Sequence, residues 1–148
     1  MFLESTGYPT SWDATRYANY LKKARGRLPP DLQSLTAIER LDLPSASERS
    51  FWWTEVTYIE VGGDTITIGA ANDERARRYA FIYSGVCKIQ TTSSTLYFKP
   101  TLIMQELVLL RNGVLRHTFS DMGGALTTIH ASSLSFRESL VQQVADAG

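Results

Sequence analysis

The sequence predicts an α+β domain, with one or two N-terminal helices packed on a curved antiparallel β-meander of about six strands. Three observations predict it. Apolar residues recur at helical intervals only in the first forty or so positions, and from Phe51 to Phe136 the period falls to about two. Three two-residue turn signals, Gly62-Gly63, Asn112-Gly113 and Gly123-Gly124, then divide that second stretch.

The chain of 148 residues is read as a single domain, residues 1–148, helical over 11–41 and sheet over 51–136, large enough to bury a core without metal or disulfide. Its 15 Lys and Arg balance 15 Asp and Glu, so no global field draws it to nucleic acid or an anionic membrane. No window reaches the roughly 18 apolar residues of a membrane span, and Met1-Phe2-Leu3-Glu4-Ser5 lacks a basic region followed by an apolar stretch. A cytoplasmic location is expected. The single Cys87 sits among apolar residues and reads as a small, buried and inert side chain.

The first helix is predicted over residues 11 to 26. Thr10 and Asp13 have capping-box spacing, and Trp12, Tyr17, Tyr20, Leu21, Ala24 and Leu28 follow at helical intervals. Arg16, Lys22, Lys23, Arg25 and Arg27 occupy the other face and the C-terminal end, where cations complement the helix dipole. Gly26 and Pro29-Pro30 stop this helix, and a short second one with Leu32, Leu35 and Ile38 precedes Pro44. Ser45 to Ser50 reads as a loop.

Strands are expected over 51–61, 64–70, 79–89, 95–98 with 101–111 (interrupted at Pro100), 114–120 and 125–136. If Gly62-Gly63 is the whole first loop, Trp53, Thr57, Ile59, Val61, Ile66 and Ile68 share a core face. The charged run from Asn72 to Arg78 reads as a solvated connection. Tyr79, Phe81, Tyr83, Cys87 and Ile89 alternate along the next strand, with Gly85 marking a bulge. After Arg137 the tail is at most weakly helical. The nuclear transport factor 2-like cone, in which a strongly curved sheet encloses a pocket, is the alternative architecture.

Two-residue turns also set which residues face each other. Across Asn112-Gly113, Val108 would meet His117 and Glu106 would meet Phe119; across Gly123-Gly124, His117 would meet His130. Glu106, His117 and His130 would then share one face, as ligands for zinc or non-haem iron or as an acid and base pair around a small substrate. The competing reading is three polar groups that simply hydrogen-bond one another. A one-residue change in either loop dissolves the cluster, and no HExxH-type pattern accompanies it.

Phe51-Trp52-Trp53 is the other conspicuous feature. Adjacent strand residues point to opposite faces, so Trp52 and Trp53 cannot both enter one core layer. One of them either packs under the first helix or is exposed as a partner anchor.

An N-terminal helix, Leu28-Pro29-Pro30-Asp31-Leu32, Tyr83-Ser84-Gly85-Val86, Glu106, Asn112-Gly113, and Leu115 to Ser120 leading into Gly123-Gly124 form a series. The series resembles a group of small, β-rich bacterial proteins, some of them immunity proteins of toxin systems. Those proteins often carry His-Asp where this chain has Phe51-Trp52, so the resemblance brings no catalytic residue with it. It implies a non-enzymatic protein-binding domain without cofactor, its partner another protein such as a toxin. The expected contact residues are Trp52, Arg75, Arg77 and Arg78. The alternatives are a small-molecule or metal-dependent enzyme or carrier using Glu106, His117 and His130, and a subunit that self-associates through an exposed edge such as 95–98. Either a monomer or a homodimer fits the sequence.

Overall fold

A helical period that gives way to a strand period near residue 50 becomes, in the computed structural model, two short helices on a six-stranded barrel. The structure describes residues 4–5, 12–37, 40, 51, 53–92 and 100–141. The expected loop 45–50, the expected strand 95–98, Ile38 and Trp52 lie outside them. No helix among the described residues is long and apolar enough to cross a membrane.

Helix α1 spans Thr15–Ala24, shorter than the predicted 11–26. Its start is set by Asp13, whose Oδ1 accepts the Thr15 N–H at 2.9 Å, because the backbone of Trp12–Asp13 (β2) pairs as a short strand with Glu4–Ser5 (β1). Tyr17, Leu21 and Ala24 are buried, while Arg16, Lys22 and Lys23 face solvent. A turn of 3-10 helix over Arg25–Arg27 leads to α2, Pro30–Leu35, with Pro30 at a position where a missing N–H costs nothing. Leu32 and Leu35 are fully buried, each contributing about 1.5–3 kcal/mol of burial. Asp31 Oδ2 accepts the Phe136 N–H at 2.8 Å, which ties α2 to the last strand.

Six strands form the barrel: β3 (Thr54–Gly62), β4 (Thr65–Asn72), β5 (Arg77–Thr91), β6 (Thr101–Leu109), β7 (Leu115–Asp121) and β8 (Leu126–Leu140). All pairs are antiparallel, in the order β3-β4-β5-β8-β7-β6. Two three-stranded meanders therefore join through β5 and β8 and close through β3 and β6. The alternative of an open cone is not realised, because β3 and β6 complete the circle. The last strand continues to Leu140, past the point at which the tail was expected to turn weakly helical.

The β3–β6 seam is short, Thr54 opposite Leu102 and Glu55 opposite Thr101. Beyond it, α1 covers the edge of β6. The Tyr17 hydroxyl accepts the Leu107 N–H at 2.8 Å and lies 3.2 Å from the Leu107 carbonyl; Tyr20, one turn on, does the same for Leu109 at 2.7 and 3.5 Å. Two phenols thus satisfy backbone groups that a neighbouring strand would otherwise pair.

Inside the barrel Phe81 is the hub, its ring 5.3 Å from Phe136, 5.4 Å from Phe119 and 6.0 Å from Phe51. Leu28, Leu32, Leu35 and Phe51 join the same core. Arg40 belongs there too, with 1% of its surface exposed. Its guanidinium forks onto Glu138 at 2.8 and 3.0 Å, donates to the Ser34 carbonyl, and lies over the Phe51 and Phe136 rings.

The first hairpin turns at Gly63-Asp64, one residue later than expected, so Val61 opposes Ile66 and Ile59 opposes Ile68. A slip of two in the pairing keeps the face, and Ile66 and Ile68 are core. Ile59 and Val61 are 40% and 72% exposed because the hairpin runs past the seam with β6. Trp53, expected in the core, is 45% exposed with φ of 66°. In β5 the bulge lies between Val86 and Lys88, next to Gly85. It takes Cys87 out of the alternation, so the thiol expected to be buried is exposed, as is Ile89.

Candidate functional site

The Glu106, His117 and His130 cluster does not form. Both later hairpins use three-residue loops. Leu110 N–H donates to the Val114 carbonyl around Arg111-Asn112-Gly113, and Asp121 N–H to the Ala125 carbonyl around Met122-Gly123-Gly124. The final glycine of each has φ near 80°, the left-handed position that ends a type I turn plus bulge. Each pairing is offset by one from the two-residue expectation: Leu107 opposes His117, and His117 opposes Ile129. Two one-residue offsets flip β6 and β8 against β7, so His117 points into the barrel while Glu106 and His130 point out.

Inside, His117 is fixed by a chain of hydrogen bonds. Its Nε2 is 2.8 Å from Gln105 Oε1, its Nδ1 is 2.7 Å from the Tyr83 hydroxyl, and Gln105 Nε2 donates to the Leu35 carbonyl. An amide oxygen only accepts, so Nε2 carries the proton and Tyr83 donates to Nδ1. Burial lowers the His117 pKa to about 3 and raises that of Tyr83. Both groups are neutral and satisfied, but by Tyr83 and Gln105 and not by Glu106 or His130, so neither the acid and base pair nor the expected mutual hydrogen bonding of the three polar groups forms.

Outside, Glu106 is buried, its Oε1 3.7 Å from Arg116, and Arg116 is paired with His130 across the strands. Burial, then Lys88 and Arg116, lower the His130 pKa. Among the described residues no three His, Cys, Asp or Glu side chains converge to hold a metal ion.

Described residues wall two concavities of different character. The smaller, of about 50 Å³, is an apolar notch at one end of the barrel, walled by Val56, Ile59, Ile68, Leu102 and Phe119. The larger is an open trough of about 690 Å³ on the outside of β3, β4, β5 and β8. The register explains its shape. Tyr58, Gly69, Ala80 and Arg137 form one row across the four strands, and Glu55, Ala71, Arg78 and Ser139 the next. Residues directly opposite share a face, so Ala80 makes a low floor between the Tyr58 ring, which lies over Gly69, and a basic rim of Arg78 and Arg137. Gly69 makes room for the Tyr58 ring, since a Cβ there would collide with Tyr58 Cε1.

The expected contact arginines separate here. Arg77 is spent on the fold, 17% exposed and 3.6 Å from Glu138. Arg75 is half-buried in the turn before β5, its N–H bound to Asn72 Oδ1. Arg78 is exposed on the trough, and Arg137 joins it. Arg137 is a residue that sequence reasoning missed, because its strand was expected to end at Phe136. Trp53, 45% exposed, directly precedes β3, two residues before Glu55. The chain matches no protein-family model, and comparison with curated proteins finds no match.

Proposed function

We propose that the chain is a non-enzymatic protein-binding domain of the bacterial immunity type, cytoplasmic, which neutralises its partner by covering it. One observation carries the reading: the trough sets Arg78 and Arg137, neither in an ion pair among the described residues, beside the half-exposed Tyr58 over a floor of small side chains. Arginine and aromatic side chains around a concave surface are the usual anchors of a protein contact. Trp53 supplies a further one. It is a bulky residue in a left-handed backbone conformation, which is costly and persists where the surrounding structure enforces it. Such a role needs shape and charge and no catalytic group, which suits an interior where the histidine is closed off.

A photo-crosslinking residue placed at Ala80, with one at Lys22 on α1 as control, tests the proposal in cells. The reading stands if the protein crosslinked through Ala80, once purified, binds the wild-type chain and loses binding to Arg137→Glu but not to Lys22→Glu. It fails if nothing crosslinks at Ala80 beyond the level at Lys22.

A further inference from the structure

The sheet face that carries the trough is divided in charge. Arg78 and Arg137 stand on β5 and β8, while Glu55 and Glu60 stand on β3 at the far side. Arg78 is opposite Ser139, and Arg137 lies two residues before Ser139, so the arginines are diagonal neighbours on one face. Diagonal neighbours have side chains rooted about 7 Å apart. Alternate residues of an extended segment are also about 6.6 Å apart and point the same way.

We infer that the trough receives an extended acidic segment of the partner protein, with carboxylates at alternate positions held by Arg78 and Arg137. The inference rests on the protein-binding reading and adds the chemistry of what is bound. Each guanidinium offers a planar fork of donors that matches a carboxylate, and neither fork meets an acidic group of its own chain among the described residues. Glu138, though it lines the trough, is held by Arg40 and Arg77. Ala80 and the reclining Tyr58 ring leave space over the floor for aliphatic stems. A nucleic acid is a poor occupant: two arginines reach few phosphates, and Glu55 and Glu60, exposed on the same face of β3, repel a longer polyanion.

A fluorescent peptide of alternating Glu and Thr, followed by anisotropy at low salt, is the probe. It is expected to bind the wild-type chain and to bind Arg78→Ala and Arg137→Ala about fivefold more weakly, which corresponds to an exposed ion pair of about 1 kcal/mol. Glu55→Gln should bind it more tightly, and Lys22→Ala with Lys23→Ala should leave it unchanged. Equal loss in the α1 variant, no binding to the wild type, or tighter binding of oligothymidine overturns the inference. A partner that crosslinks at Ala80 while the peptide fails removes only the acidic-segment inference. No crosslink at Ala80 removes the protein-binding reading itself.

Discussion

The Tyr83 hydroxyl meets His117 Nδ1 at 2.7 Å in the closed interior of the barrel, and the other ring nitrogen is held by Gln105. His117 is consequently a neutral core residue. Its pKa of about 3 in the folded chain, against 6.5 as the ordinary value, comes from burial. Between those values the unfolded chain binds one more proton than the folded one, so stability falls as pH is lowered from about 6.5 toward 3. The slope is about 1.4 kcal/mol per pH unit. Urea denaturation between pH 7 and 5, where Asp and Glu remain mostly ionised, should show stability falling by about 2 kcal/mol in all, the slope steepening toward that limit as the unfolded histidine becomes fully protonated. His117→Gln should reduce it, whereas His130→Gln, at a partly exposed position, should change it far less.

The edge of β6 is closed by side chains from α1. Tyr17→Phe leaves the Leu107 N–H without its 2.8 Å acceptor in a buried setting and should cost about 1–3 kcal/mol. Tyr20→Phe, whose bond to Leu109 is only part-buried, should cost less. Amide hydrogen exchange should speed up at Leu107 in the first variant and at Leu109 in the second. Unchanged exchange at both would mean that water replaces the phenols without loss.

Arg40 and Glu138 are not symmetrical partners. Arg40 has no exposed side-chain surface, and Glu138 is 16% exposed with Arg77 as a second cation at 3.6 Å. Removing the carboxylate takes the forked ion pair from a buried guanidinium that keeps its bonds to Ser34, so Glu138→Ala should cost up to about 3–5 kcal/mol. Arg40→Met keeps most of the buried volume and leaves Glu138 paired with Arg77, and should cost clearly less. Thermal melts of the two variants check the order, which reverses if the Glu138 contact to Arg77 counts for nothing.

The Tyr58 ring reclines on Gly69. Gly69→Ala should push the ring upright into the trough, costing no more than about 1–3 kcal/mol because a side chain and not backbone must move. In a Tyr58→Ala background the same substitution should be nearly neutral. The non-additivity of this double-mutant cycle, read by urea denaturation, measures the contact. Additive effects would mean that the ring does not occupy the glycine's space.

The aromatic alternation of Tyr79, Phe81 and Tyr83 places a strand with one face in the core wherever its neighbours lie, and the amphipathic spacing of Tyr17, Leu21 and Ala24 does the same for α1. Those features were legible because a local period reports which side of an element must leave water. The candidate site was legible only in part: Arg78, one of the expected contact residues, lines the trough, whereas Arg77 is taken up by Glu138.

What the sequence by itself determined is the α+β class, the helix positions and the strand-rich half of the chain, all set by short-range periodicity and turn residues. Only the tertiary structure decided that the sheet closes β3 on β6, that Arg40 is a core residue, and that His117 is separated from Glu106 and His130. The physical reason is the two-residue period of a strand. A single extra residue in a hairpin loop changes almost nothing locally, yet it carries every following side chain to the other side of the sheet.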